Sequence, residues 1–272
     1  MVSVGTTLTR TAAVLASIAG LLVAAAPAAA WEWPLRAYWP LHEGSGQTIR
    51  DISGSGNDGR LGRTTAPDGR DAEWIRGLFG VGHALRLDGD DYVAVPETAS
   101  LRPARVTVEA WARASQSPGS YKYVVAKGGD RCESGSFGLY TSNNGGMSFY
   151  VYDGRKYWRS PMAAPGIWDG RWHHFAGSYD GAAVRLWVDG RQVGAGTPFS
   201  GKIEYDLEHR NLYLGAYRGA CDLTFSGDID ELRLWTADLS IGALWPTISG
   251  ALDDEPAAPG LPDDAGAWYD AG

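Results

Sequence analysis

Short runs in which apolar and polar positions alternate one for one recur along the chain, and apolar residues at helical spacing are scarce. Residues 106–112, 147–152, 183–188 and 229–235 all alternate, and all are rich in Val, Tyr, Trp or Leu. A two-residue period sends successive side chains to opposite faces, so each run is predicted to be a half-buried antiparallel strand. Asp153-Gly154, Asp180-Gly181 and Asp189-Gly190 sit between such runs. Asp-Gly tolerates the positive φ angles of a tight hairpin, which predicts a chain reversal at each. Many strands at short spacing without a long helix predict an all-β, two-sheet antiparallel sandwich. One short C-terminal helix is expected, with Ser240 as N-cap before residues 241–244.

The ends of the chain read differently. Arg10 precedes an apolar run over residues 12–26, and Pro27-Ala-Ala-Ala30 follows as a small-residue cleavage site. Residues 1–30 therefore read as a secretory signal peptide, with Trp31 as the first mature residue, and are set aside from the fold. No later stretch is long and apolar enough to cross a bilayer. The expectation is a secreted, extracellular chain with no membrane insertion after signal cleavage. Residues 31–250 form the expected domain. Residues 251–272 form an acidic, Pro- and Gly-rich tail, which is expected to be flexible because it has little apolar surface to bury.

Charge narrows the partners. Of the formal net charge of −8, six acids lie in 251–272 and Arg10 is the one charged residue of the first thirty, which leaves residues 31–250 at −3. A nearly neutral domain lacks the clustered Lys and Arg that a phosphate backbone requires, so no nucleic-acid partner is expected. Cys132 and Cys221 are the two cysteines. In an exported chain they are expected to form a disulfide, and closing a loop of about 90 residues stabilises by at most roughly 4–5 kcal/mol on chain-entropy grounds.

Several segments carry a family signature. Tyr38-Trp-Pro-Leu-His-Glu-Gly-Ser-Gly46 and Asp51-Ile-Ser-Gly-Ser-Gly-Asn-Asp-Gly-Arg-Leu61 would make an opening hairpin. Gly77-Leu-Phe-Gly-Val-Gly-His-Ala-Leu-Arg-Leu-Asp-Gly-Asp-Asp-Tyr-Val93 follows, then residues 106–111, Trp172-His-His-Phe175, Tyr179-Asp-Gly181 and residues 186–190, and finally Gly227-Asp-Ile-Asp-Glu-Leu-Arg-Leu-Trp235. In this order, over residues 31–249, the set resembles the laminin-G-like jelly rolls of the concanavalin-A-like lectin/glucanase superfamily. The resemblance implies a jelly-roll sandwich that binds carbohydrate, and in some relatives protein, often with calcium.

Candidate sites follow from face and chemistry. On the closing strand, regular alternation puts Asp230 on the face of Leu232 and Leu234, where a carboxylate needs a partner. The opening hairpin supplies Asp51 and Asn57, hard oxygen ligands of the kind calcium takes. First and last strands of a jelly roll are commonly neighbours, so a structural calcium is expected at Asp51, Asn57 and Asp230. The alternative is that Asp230 accepts hydrogen bonds from turn backbone of the opening hairpin. Asp88, Asp90 and Asp91 make a second oxygen-rich cluster, readable as a rim calcium or as a solvated acidic turn.

The expected ligand face carries Tyr150 and Tyr152, which share one side of their strand with Ser148. Tyr121, Tyr123, Asn143, Asn144, Tyr157, Trp158 and Arg218 lie in adjoining segments, and the disulfide would stiffen two walls of the same cleft. Sugars pack C–H faces on aromatic rings and hydrogen-bond to nearby polar groups, so a glycan or polysaccharide is the expected partner. His173 and His174 point to opposite faces of a strand and read as structural.

Two other functions compete. Glu204-Tyr-Asp-Leu-Glu208 has the E-x-D-x-E spacing that laminarinase-type hydrolases carry, with Glu204 as nucleophile and Glu208 as acid/base. On a straight strand those two lie about 13 Å apart at Cα, so the side chains must lean or the strand must bulge to bring the carboxyls to the roughly 5–5.5 Å that retention needs. A surface adhesion module that meets another protein is the remaining alternative. The expectation is a non-catalytic binding module.

Overall fold

The computed structural model describes Met1 and residues 35–69, 71–128, 135–205, 211–217 and 223–236. The chain divides into two units, Met1–Glu32 and Trp33–Gly272, and the fold below belongs to the second. The signal segment, the helix at 241–244, the acidic tail, Arg218 and both cysteines lie outside the described residues.

The described residues form two sheets. Alternation locates four principal strands, Val106–Arg113, Met147–Tyr152, Ala183–Val188 and Ser226–Trp235. The first sheet runs Arg191–Gln192, Ala183–Val188, His173–Tyr179, Val106–Arg113, Ser226–Trp235, His83–Asp88, Glu73–Arg76. The second runs Tyr157–Arg159, Met147–Tyr152, Phe137–Thr141, Tyr123–Lys127, Leu212–Leu214, Val93–Val95, Gly59–Leu61, Thr48–Ile49. Leu35–Trp39 pairs antiparallel with the 232–235 half of the closing strand, and His83–Asp88 with its 226–229 half. The first and last segments are thus side by side, as predicted. At the Asp189-Gly190 reversal both residues take positive φ, 47° and 75°, as a two-residue hairpin of right-handed strands requires.

One core fills the space between the sheets. Val106, Val108, Ala110 and Ala112 meet Phe137, Leu139, Phe149 and Val151 there, every one of them buried. At Gly177 the sheets are so close that a Cβ would stand 2.3 Å from the Phe149 ring, so a side chain is excluded.

The closing strand departs from simple alternation. Its register against Val106–Arg113 slips between Asp230 and Arg233, and Glu231 takes φ +54°. The extra residue is a β-bulge, which reverses which parity faces the core. Ile229, Leu232 and Leu234 all join the core, while Asp230 pairs opposite Trp111 on the outer face. The expectation that Asp230 shares a face with Leu232 and Leu234 is therefore wrong.

Candidate ligand-binding surfaces

The outer face of the second sheet carries tyrosines. Met147, Phe149 and Val151 enter the core, which turns Ser148, Tyr150 and Tyr152 outward as the two-residue period predicts. Tyr123, Tyr140, Tyr150 and Tyr217 gather on this face, with Tyr123 5.2 Å from Tyr140 and 5.0 Å from Tyr217, centroid to centroid. Burial pushes the phenols of Tyr123, Tyr140 and Tyr150 up, so they stay protonated at neutral pH. Tyr150 is 2% exposed and Tyr123 7%, with Gly135 laid over Tyr150 so closely that a Cβ there would come 2.5 Å from its hydroxyl. These two are a foundation, not a contact surface, which corrects the sequence reading.

The accessible margin is made by other rings. Tyr152 and Tyr157 are half-buried and face each other at 4.7 Å, with the Arg159 guanidinium 5.1 Å over Tyr157. Tyr121 is 45% exposed and stacks on Tyr140 at 6.4 Å and 17°. Its backbone is held at φ +60°. Its N–H donates to the Thr141 carbonyl, and the neighbouring Ser120 hydroxyl donates to the Asn143 carbonyl. Asn143 and Asn144 sit exposed on the turn before Met147–Tyr152. Asn144 is spent on that turn, accepting from Gly146 N at 2.8 Å.

Trp158 does not belong to this face. It pairs opposite the core residue Val151, stacks on Phe199 at 4.6 Å and carries the Lys156 ammonium 4.0 Å over its ring. The residue after Tyr157 must point the other way. Its edge lines an open cleft of about 860 Å³ with Asp153 and Glu204. Glu204 is exposed in a segment without strand pairing, while Asp206 and Glu208 lie outside the described residues.

The expected calcium ligands are tied to different partners. Asp51 accepts from the backbone N–H groups of Tyr38, Ser53 and Asn57 at 2.8–2.9 Å. The Asn57 amide oxygen accepts from the hydroxyls of Thr98 and Ser100, and its nitrogen donates to Arg36 O. Together they lock the opening hairpin. Asp230 instead accepts from Leu78 N at 2.8 Å and Glu231 N at 2.9 Å, and its ligand atoms cluster with those of His42 and Glu231. Its backbone donor is the Leu78–Gly80 turn, not the opening hairpin. Burial and the adjacent Glu231 charge push its carboxyl well above the usual range.

Asp88, Asp90 and Asp91 do converge, with a carboxylate oxygen of each within 4.8 Å of the others. Asp91 is buried and pushed up to about 6, first by burial and also by the neighbouring Asp88 charge.

Alternation did not expose the polar layer on the outer face of the first sheet. His174 Nε2 lies 3.0 Å from Glu109, which also accepts from Trp235 Nε1 at 2.8 Å. Burial opposes the Glu109 charge, but His174, Arg233 and Trp235 outweigh it and hold the carboxyl below its usual range. Glu231 accepts from Tyr38 and Arg233 and lies 3.2 Å from His42. The one sequence signal was Glu109, the only charged residue within 106–112. His173 turns the other way, to Asp189 at 2.7 Å and Asp169 at 3.1 Å, so the two histidines share no ligand.

Residues 87–241 match a laminin G sequence family described as the Concanavalin A-like lectin/glucanases superfamily. The chain belongs to that superfamily. No curated protein sequence matches it significantly. Among solved relatives of this concanavalin A-like fold is domain 4 of AbnA, an extracellular arabinanase from Geobacillus stearothermophilus, in complex with arabinotriose. It has a TM-score of 0.57 and 18% identity, over 79% of this chain and 98% of that one. The binding domain of Paraclostridial Mosquitocidal Protein 1 gives 0.61 at 11% identity, over 81% of this chain and 53% of that one. Trypanosoma rangeli sialidase in complex with sialic acid gives 0.55 at 14%, over 80% and 33%. The chain thus spans about half of the toxin domain and a third of the sialidase. At these identities the likeness is one of fold.

Proposed function

We propose that this protein is a secreted, non-catalytic glycan-binding module whose ligand lies along the tyrosine face of the second sheet. The observation that carries the reading is Tyr121. A bulky residue at positive φ is strained, and such strain persists where the surroundings enforce it, often at binding sites. Here it holds a ring half in water, stacked on Tyr140 beside the Asn143 turn, where a sugar ring can stack and find hydrogen bonds, while Tyr152, Tyr157 and Arg159 carry the same face on toward the other end of the strand. The complex of AbnA domain 4 with arabinotriose supports a neutral saccharide as the class of ligand. The hydrolase alternative has weaker support, because Glu204 does not stand on a strand that would align it with Glu208.

We further propose that Asp88, Asp90 and Asp91 are the calcium ligands. Three carboxylates crowd one turn with one of them buried, and a divalent cation would relieve their repulsion.

Titration calorimetry against neutral arabino-, galacto- and gluco-oligosaccharides tests the glycan reading. Binding is expected to weaken roughly ten-fold or more in Tyr121→Ala, with no reducing sugar released by the wild-type chain. Wild-type affinity for none of them, or sugar release abolished by Glu204→Gln, would overturn it.

A further inference from the structure

A second exposed aromatic residue stands on strained backbone, far in character from the tyrosines. Phe79 lies in the Leu78–Gly80 turn at φ +52°, ψ 16°, with 61% of its surface in water. An apolar ring mostly in solvent on left-handed backbone adds little to folding, and glycine would take that backbone more easily. The turn is nevertheless fixed. Leu78 N donates to the buried Asp230 at 2.8 Å, Arg76 Nε donates to Gly80 O at 2.8 Å, and the Phe79 ring meets Trp111 edge-on at 5.5 Å. The molecule holds this ring outward from beneath.

Beside it is a cavity of about 280 Å³ lined by Arg76, Phe79, Arg113 and Trp172 with two glycines, and among the described residues no acidic side chain lines it. Arg113 is held through Nε to Asp228 at 2.6 Å, with its guanidinium 4.7 Å over the Trp172 ring. Arg76 is held through Nε as well, and among the described residues it makes no ion pair. Both guanidinia are therefore oriented by one nitrogen and keep their Nη edges for a ligand. Arg113 is also part of the wall of an adjoining groove of about 630 Å³, which carries Ser115, Gln116, Arg86, Asp88 and Asp228.

We propose that this corner is a second saccharide site, selective for a uronic-acid unit: the sugar ring packs on Phe79 and its carboxylate is held by Arg76 and Arg113. A planar carboxylate accepts paired N–H bonds from a guanidinium, and aromatic faces take sugar C–H groups. Along the adjoining groove Arg86 and Arg113 both pair with Asp228, and Arg86 also with Glu73. That suits uncharged neighbouring units, whereas a polymer sulfated on every unit would run its charge against the Asp88 and Asp228 carboxylates that line the groove. The site is on different strands from the tyrosine face and does not depend on that reading.

The test is calorimetry of the full chain with oligomers of galacturonate, glucuronate and guluronate, their carboxyl-reduced neutral forms, and a heparin-type sulfated oligomer. At least one uronate is expected to bind at least roughly ten-fold more tightly than its neutral form, weakening as salt rises. Phe79→Gly and Arg76→Gln are each expected to lose roughly ten-fold or more of that binding, while Tyr121→Ala leaves it unchanged. Phe79→Gly is expected to melt no lower than the wild type, which separates lost binding from lost fold. Absence of binding to all three uronates, equal binding of a neutral form, tighter binding of the sulfated oligomer, or undiminished binding in either variant would overturn the proposal.

Discussion

Tyr121 and Phe79 are the two exposed aromatic residues at positive φ among the described residues, and they stand on different sheets. Neither was readable as strained from sequence, since nothing in a tyrosine or phenylalanine marks a left-handed backbone the way glycine does. Face parity was readable: residues 147–152 split correctly into core and outward sets. What parity lacks is the cover on the outward side, and so Tyr150 looked like a contact when Gly135 lies across it. Asp91 makes a residue-scale prediction. Its folded pKa, about 6, is above the usual carboxylate value, so the native state keeps the proton longer than the unfolded chain. The stability it contributes is complete below about pH 4 and is lost as pH rises through about 6. Scanning calorimetry in EDTA is expected to show the melting temperature falling across that window, with a flatter profile in Asp91→Asn. At pH 7.5 calcium is expected to raise the wild-type melting temperature and leave Asp91→Asn unmoved. A calcium-independent wild-type melting temperature would count against the ion.

The closing strand shows what a strand-level reading gains and loses. Its place beside the opening segment follows from the jelly-roll resemblance, and the pairing of Leu35–Trp39 with residues 232–235 bears that out. The bulge was invisible, because its positive-φ position is filled by Glu231 in place of a glycine or asparagine. One residue of slip moved Asp230 to the outer face and left Glu231 to gather Tyr38, Arg233 and His42. Removing that carboxylate takes a hydrogen-bonded anionic partner from the buried Arg233 guanidinium. Glu231→Ala is expected to lose about 3–5 kcal/mol in urea denaturation, reduced by whatever strain the shorter side chain relieves. A loss below about 1 kcal/mol would show that the network contributes little beyond an exposed ion pair.

On the scale of the molecule, the two sheets present unlike outer faces: phenol rings on one, buried ion pairs with a cationic aromatic corner on the other. The sandwich itself was legible because alternation and Asp-Gly reversals are local signals, whereas the sites depend on which distant segments meet. The disulfide expectation belongs to this scale. Gly135, three residues after Cys132, packs against Tyr217, four before Cys221, at 2.9 Å from its ring to the position a Cβ would take. Peptide mapping without reductant is expected to recover a Cys132–Cys221 cross-link, and reduction to lower the melting temperature; two free thiols in protein purified without reductant would exclude it.

The strand that ends the described sheet, Ser226–Trp235, bonds to three partners drawn from residues 35–39, 83–88 and 106–113. During synthesis, therefore, three earlier segments remain without their common neighbour until about residue 235 has emerged. Such remote pairings impose a large loop-closure entropy before any contact repays it, which makes for folding in milliseconds to seconds. The secretion proposed above fits this order, since the first sheet cannot zip shut before the final strand arrives.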